Sequence, residues 1–307
     1  MSSSIIEKEK GMGKTVMDQM LSDATMSVIL KMQQNELDES VIYRKIAKFA
    51  KGEENKRTLN RLADEEAAHY EIWKKYTGKE MRPRRARVLR YTMLARIFGF
   101  TFAIKLMERG EEGAQVEYDA LTEEVEESAA ILKQEEEHEA ALIAILDEER
   151  LHYVGSMVLG LNDALVELAG SIAGFTFALA DTRLVVLSGL IVGISATFSM
   201  ASSEFLSAKS EGRSDALKSC SYTGIAYLIT VVLLLLPYVI LPNPYAALGC
   251  MLGVIILIIT AFTYYTSVAM DQPFRSRFFE MVGISLGVAV LSFVVGVLAN
   301  RFLGVEV

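Results

Sequence analysis

The sequence predicts an all-α protein in two parts: a charged four-helix bundle over residues 1–150 and an apolar domain of five transmembrane helices over residues 151–307. Three observations predict it. First, a chain of 307 residues that is 51% hydrophobic yet 23% charged, with a mean hydropathy of +0.29, does not describe one soluble domain. Its charges are segregated, with 24 of 31 Lys+Arg and 30 of 39 Asp+Glu before residue 151. Second, the charged part is rich in Glu, Lys, Ala, Leu and Met, holds one proline (Pro83) and has no strand-like alternation. Third, the remainder divides into apolar runs of spanning length. Together these exclude a single soluble domain, a disordered acidic chain and a chain embedded in lipid from end to end. The net charge of −8 excludes general nucleic-acid binding and makes cations the natural partner.

Helices are expected at about 15–51, 55–77, 91–121 and 123–152, a helix-bundle composition. Residues 1–14 carry no apolar stretch, so no cleavable signal peptide is expected and the bundle should stay where it is made. Two of the three histidines sit in Glu-x-x-His pairs, Glu66–His69 and Glu135–His138. Residues i and i+3 share a helix face, so a carboxylate and an imidazole can grip one ion together. The second pair lies in a run of glutamates, where a solvated charged face is the competing reading.

The other two helices supply Glu36 with Tyr43 and Glu111 with Tyr118, each pair seven residues and nearly two turns apart. Glu36, Val41 and Tyr43 recur as Glu111, Val116 and Tyr118, so the domain reads as two hairpins of one plan. Four carboxylates and two imidazoles in one bundle core are the pattern of di-iron and di-manganese carboxylate bundles: a Glu from each of two helices and Glu-x-x-His from each of the others. The carboxylates neutralise and bridge two divalent ions. Glu39, one turn after Glu36, is a possible extra ligand, but its counterpart is Ala114. Tyr43 and Tyr118 are either partners of the ligands or ordinary core tyrosines. A basic run follows, with Arg82, Arg84, Arg85, Arg87 and Arg90 ahead of an apolar stretch at 91–107. It reads as an anionic-leaflet contact, as the crossover between hairpins, or as both.

The five spans are expected at about 154–180, 184–206, 217–241, 245–270 and 279–302, with residues 242–245 a tight turn. Lys209, Arg213, Lys218, Arg275 and Arg277 fall on one face, and Arg183 and Arg301 on the other. The basic excess puts the first set, and the bundle with it, in the cytoplasm and the C-terminus outside. Continuous helix is expected through residues 135–151 toward the first span. Gly155, Gly160, Gly170 and Gly174 favour close helix contacts. Cys220 and Cys250 read as small buried hydrophobes, too isolated for a disulfide framework.

Ionisable groups within spans are costly and point to function. Asp163 and Glu167 share a face of the first span, and Met200 and Glu204 share a face of the second. A thioether beside a carboxylate suits a transition metal better than Mg2+ or Ca2+. For Glu167 and Glu204 the competing reading is snorkelling at the interface.

The paired Glu and Glu-x-x-His residues resemble the rubrerythrin and ferritin-like superfamily. The string Gly-Leu-Asn-Asp-Ala-Leu-Val-Glu at 160–167 with Gly170 and Gly174, Ser199-Met200-Ala201 followed by Glu204, and Pro237 resemble the vacuolar iron transporter family. The fusion is similar to the membrane-bound ferritin-like proteins of prokaryotes, and the two matches cover nearly the whole chain. The resemblance implies export of Fe2+, and in some members Mn2+, from the cytosol in exchange for protons. It also implies a homodimer in the prokaryotic inner membrane, an iron (di-iron) or manganese centre in the bundle, and Asp163, Met200 and Glu204 as pore ligands. The chain departs from the plant-type transporters at 207–216. There a long acidic, Met-containing insert is replaced by a short connection holding Glu211 and Asp215. The rival readings are a membrane-anchored di-iron oxidase or peroxide reductase, which lacks the CxxC pair usual in peroxide-reducing rubrerythrins, and a tethered storage protein.

Overall fold

The computed structural model describes residues 21–110, 125, 128, 131 and 149–303. Among these residues every regular element is helical, and the chain divides into two units that meet at residues 148 and 149.

In the first unit, α1 (Asp23–Ala47) and α2 (Glu53–Thr77) form an antiparallel hairpin. The Ser22 hydroxyl accepts from the Thr25 backbone N–H at 3.1 Å and caps α1. Gly78, in the left-handed region at φ 62°, closes α2. The hairpin buries Ile42, Tyr43 and Ile46 against Leu59, Leu62 and Ala63. This apolar cluster is completed by Val88, Tyr91 and Ala95 of α3 (Arg85–Phe98) and Ala103, Ile104 and Met107 of α4 (Phe100–Arg109).

The segment between α2 and α3 is strapped across α1. Gln33 Nε2 donates to the Lys79 carbonyl at 2.8 Å, and the Arg84 backbone N–H donates to Asp38 Oδ1 at 2.7 Å. Arg84 and Arg87 are also ion-paired with Asp38 and Glu39, so part of the basic run serves the unit's own interior. Leu89, Met93 and Ile97 stay exposed along the outer face of α3.

Two boundaries differ from expectation here. The helix expected at 91–121 begins earlier, at Arg85, and is interrupted at Gly99, whose φ of 103° lies outside the helical region. The helix expected at 15–51 is observed over Asp23–Ala47. Most of the fourth expected helix lies outside the described residues.

The second unit opens with the short α5 (Glu149–His152) and a turn at Tyr153. The helix expected through residues 135–151 lies mostly outside the described residues; residues 149–151 are helical, and the turn at Tyr153 separates them from the first span. The first span is α6 (Val154–Asp163), a π-helical turn (Ala164–Leu168) and α7 (Ala169–Leu179). Then come α8 (Thr182–Ser210), α9 (Ala216–Ile240), α10 (Pro244–Met270) and α11 (Phe274–Leu303). Four stretches, Val154–Leu179, Thr182–Ser210, Ala216–Ile240 and Pro244–Met270, are long and apolar enough to cross a membrane. At 25 to 29 residues each they exceed the roughly 30 Å hydrocarbon thickness at 1.5 Å per residue.

The sequence punctuates these helices. Asp181 caps α8 by accepting from the Arg183 and Leu184 N–H groups. Asn243 caps α10 in the same way, with Pro244 in the first turn. Leu165, Leu168, Tyr227, Val231, Met251 and Ile255 anchor the core, while Leu187, Ile191, Phe198, Ile229 and Val239 project outward as a lipid-facing surface would.

Two of the four singled-out glycines mark close approaches. A Cβ on Gly160 would collide with the Thr223 carbonyl oxygen, and one on Gly170 would lie 2.8 Å from Ser292 Oγ. Among the described residues nothing lies within 4 Å of a Cβ placed on Gly155 or Gly174, so no close contact explains them. Cys250 is exposed and Cys220 half-buried, contrary to the expectation that both are buried, because each lies on an outward face of an apolar helix.

Candidate functional sites

The α1–α2 hairpin brings together three of the six bundle residues read from the sequence. Ligand atoms of Glu36, Glu66 and His69 lie within 4.8 Å of one another. His69 Nδ1 is 3.8 Å from Glu36 Oε2 and 3.7 Å from Glu66 Oε2. The i, i+3 spacing on α2 aligns Glu66 with His69, and the antiparallel hairpin carries Glu36 across to them. Glu36 is 5% exposed. Its other oxygen, Oε1, accepts from Trp73 Nε1 at 3.2 Å, which orients the carboxylate so that Oε2 faces the imidazole.

The donor set fits a borderline divalent metal: two carboxylates and one neutral imidazole supply two negative charges and both oxygen and nitrogen donors. Glu39 is outside this group, with Oε1 accepting from Arg87 Nη2 at 2.8 Å. Tyr43 is buried in the apolar cluster beside Ile42 and Ile46. Glu111, Tyr118, Glu135 and His138 lie outside the described residues.

The second unit holds two polar groups along the first span. Asp163 ends α6 immediately before the π-helical turn, a local widening often found at functional sites. The Asp163 and Glu167 side chains lie within electrostatic reach of each other. Tyr227 of α9 is fully buried within electrostatic reach of both, and its hydroxyl has no hydrogen-bond partner among the described residues. Glu167 itself is exposed.

The other group surrounds Glu204 on α8. Oε1 of Glu204 accepts from Ser156 Oγ of α6 at 3.0 Å and from Ser219 Oγ of α9. The two hydroxyls also contact each other at 2.7 Å. Arg213 Nη1 lies 3.9 Å away. The Glu204 side chain is 12% exposed, so it is held by protein rather than snorkelling to solvent. Met200, one turn earlier, is half-buried against the apolar core. Ser156 and Asp163 are seven residues apart on α6, so the two polar groups stand about 10 Å apart along its axis.

Sequence reading missed Ser156, Ser219, Thr223 and Tyr227. The last three recur every four residues on α9 and are fully buried. That polar stripe at helical spacing was the available signal.

Outside the transmembrane helices, the Asp215 carboxyl is held below the usual carboxylate range, first by hydrogen bonds from Arg213 and then by one from Tyr153. The Arg213 guanidinium is correspondingly pushed up. Residues 154–219 match the family model described as the VIT family. No curated protein and no solved structure matches the chain.

Proposed function

We propose that the chain is a membrane transporter of a divalent transition metal, Fe2+ or Mn2+, moving it out of the cytosol in exchange for protons. One observation carries this reading. The stretch that matches the VIT (vacuolar iron transporter) family holds Asp163, Glu167, Met200 and Glu204, carboxylates and a thioether borne on apolar helices. Five spans, with α11 as the fifth, a cytoplasmic first unit and a homodimer belong to the same proposal.

The metal is the cargo. Glu204 and Met200 on α8 offer one carboxylate and one thioether, and Asp163 offers the next carboxylate along α6. Protons and divalent cations compete for the same oxygens, so a carboxylate that releases metal on one side can carry a proton back.

In the first unit, Glu36, Glu66 and His69 would hold one ion of a metal centre, with Trp73 orienting Glu36. Glu111, Glu135 and His138 would supply the second half of a ferritin-like di-iron bundle, with manganese as the alternative metal. Bound iron there would add redox chemistry. The chain's own residues contribute neutralising charge, ligand orientation and a place to collect metal that the short connection between α8 and α9 cannot provide.

The test is purified full-length protein in proteoliposomes, with Fe2+ or Mn2+ flux read beside the internal pH. Metal uptake coupled to opposite proton movement is expected. O2 or peroxide consumption by the iron-loaded protein without metal flux would replace this reading with an anchored oxidase.

A further inference from the structure

We propose that Arg213 is the resident counter-ion of Glu204: a tethered cation that an incoming divalent metal displaces at this end of the pathway. The inference rests on the transport reading and deepens it by assigning a residue that no sequence motif marks.

The tether is built by the backbone. Helix α8 ends in a Schellman arrangement, in which the Gly212 N–H donates to the Lys209 carbonyl at 3.1 Å and the Arg213 N–H to the Ala208 carbonyl at 3.0 Å. Gly212 adopts φ +74°, which glycine takes without strain. Arg213 is thereby folded back toward the helix that carries Glu204.

Its planar fork then divides between two acids. Nε and Nη2 donate to Asp215 Oδ1 and Oδ2, both at 3.1 Å. Nη1 is left 3.9 Å from Glu204 Oε1. Ser156, Ser219 and the Arg213 charge offset the cost of burying this carboxylate, and all three converge on Oε1.

The Arg213–Glu204 separation is too long for a hydrogen bond, so the charges attract without locking. Asp215 holds the guanidinium back from full contact. A metal reaching Glu204 replaces a cation that is already loosely held, and Arg213 remains on Asp215.

The experiment measures the Mn2+ KM for flux and equilibrium Mn2+ binding by the full-length protein. Glu36→Ala and Glu66→Ala are present throughout the binding arm to silence the first unit. Arg213→Gln should lower the KM and tighten binding about 5- to 10-fold. Arg213→Lys, which keeps a charge, should stay within about twofold of the parent protein. Asp215→Asn should act in the opposite direction, raising the KM, because the freed guanidinium closes on Glu204. In a Glu204→Gln background, Arg213→Gln should change nothing.

A purely structural role in the α8–α9 connection predicts instead that Arg213→Gln and Asp215→Asn shift the KM in the same direction. That result, or an Arg213→Gln effect that persists without Glu204, overturns the proposal. If the parent protein shows no flux, the transport reading fails, and the binding arm alone decides the counter-ion: tightening through Glu204 upholds it and unchanged binding overturns it.

Discussion

Gly160 of α6 and Thr223 of α9 touch backbone to backbone: a Cβ on Gly160 would collide with the Thr223 carbonyl oxygen. This contact holds the first span against α9 between the Glu204 group and the Asp163 group. Thr223 Oγ1 also donates to the Ser156 carbonyl at 3.1 Å, which fixes the rotation of α6 at the same level.

Gly160→Ala should therefore destabilise the membrane unit by about 1–3 kcal/mol, the usual range for overpacking, because carbonyl backbone cannot move aside as a flexible side chain can. Gly174→Ala is the matched control. Among the described residues nothing lies within 4 Å of its Cβ position, so it should gain roughly 0.5–1 kcal/mol from helix propensity. Thermal unfolding in detergent separates the two, and equal shifts would mean that the close crossing is absent.

The first unit carries its own reporter. The chain has a single tryptophan, and its indole N–H donates to Glu36 at 3.2 Å. Adding Mn2+ or Co2+ should change Trp73 emission, and His69→Ala or Glu66→Gln should weaken that response at least 10-fold. A response that survives both substitutions would place metal elsewhere.

Acid stability should depend on the α8–α9 connection. Asp215 has its carboxyl held below the ordinary aspartate value in the folded state, by Arg213 first and then by Tyr153. Its contribution is therefore fully present above that value and is lost as pH falls through the lower folded one. Melting temperatures of the parent protein should exceed those of Asp215→Asn at neutral pH and converge on them as the pH falls below the usual carboxylate range. A constant difference across that range would remove Asp215 from the acid transition.

Gly212→Ala should cost about 1 kcal/mol, since φ +74° is strained for alanine whatever the space. The measurement is again thermal unfolding, with Gly174→Ala as reference.

The helical character of both units and the turn at 242–245 are legible in the sequence, because apolar spacing, capping residues and helix-breaking Pro or Gly are local signals. The 66/69 spacing puts Glu66 and His69 on one face, and the hairpin adds Glu36. The breaks are less legible. Gly99 sits in an otherwise helical run, Tyr153 carries no breaker signature, and the π-helical turn after Asp163 is a hydrogen-bond shift that leaves the apolar pattern almost intact. Arg213 reads only as a loop cation that orients the protein. Its bridge between Asp215 and Glu204 depends on the Schellman turn and on three helices meeting, which no linear spacing encodes.

The central claim is that the polar groups inside the apolar helices form a metal pathway. Fe2+ or Mn2+ flux into proteoliposomes, compared between the parent protein and Asp163→Ala or Met200→Ala, tests it most directly. Flux should fall at least 10-fold in each variant while the folded protein is retained. Unchanged flux in both variants would contradict the account.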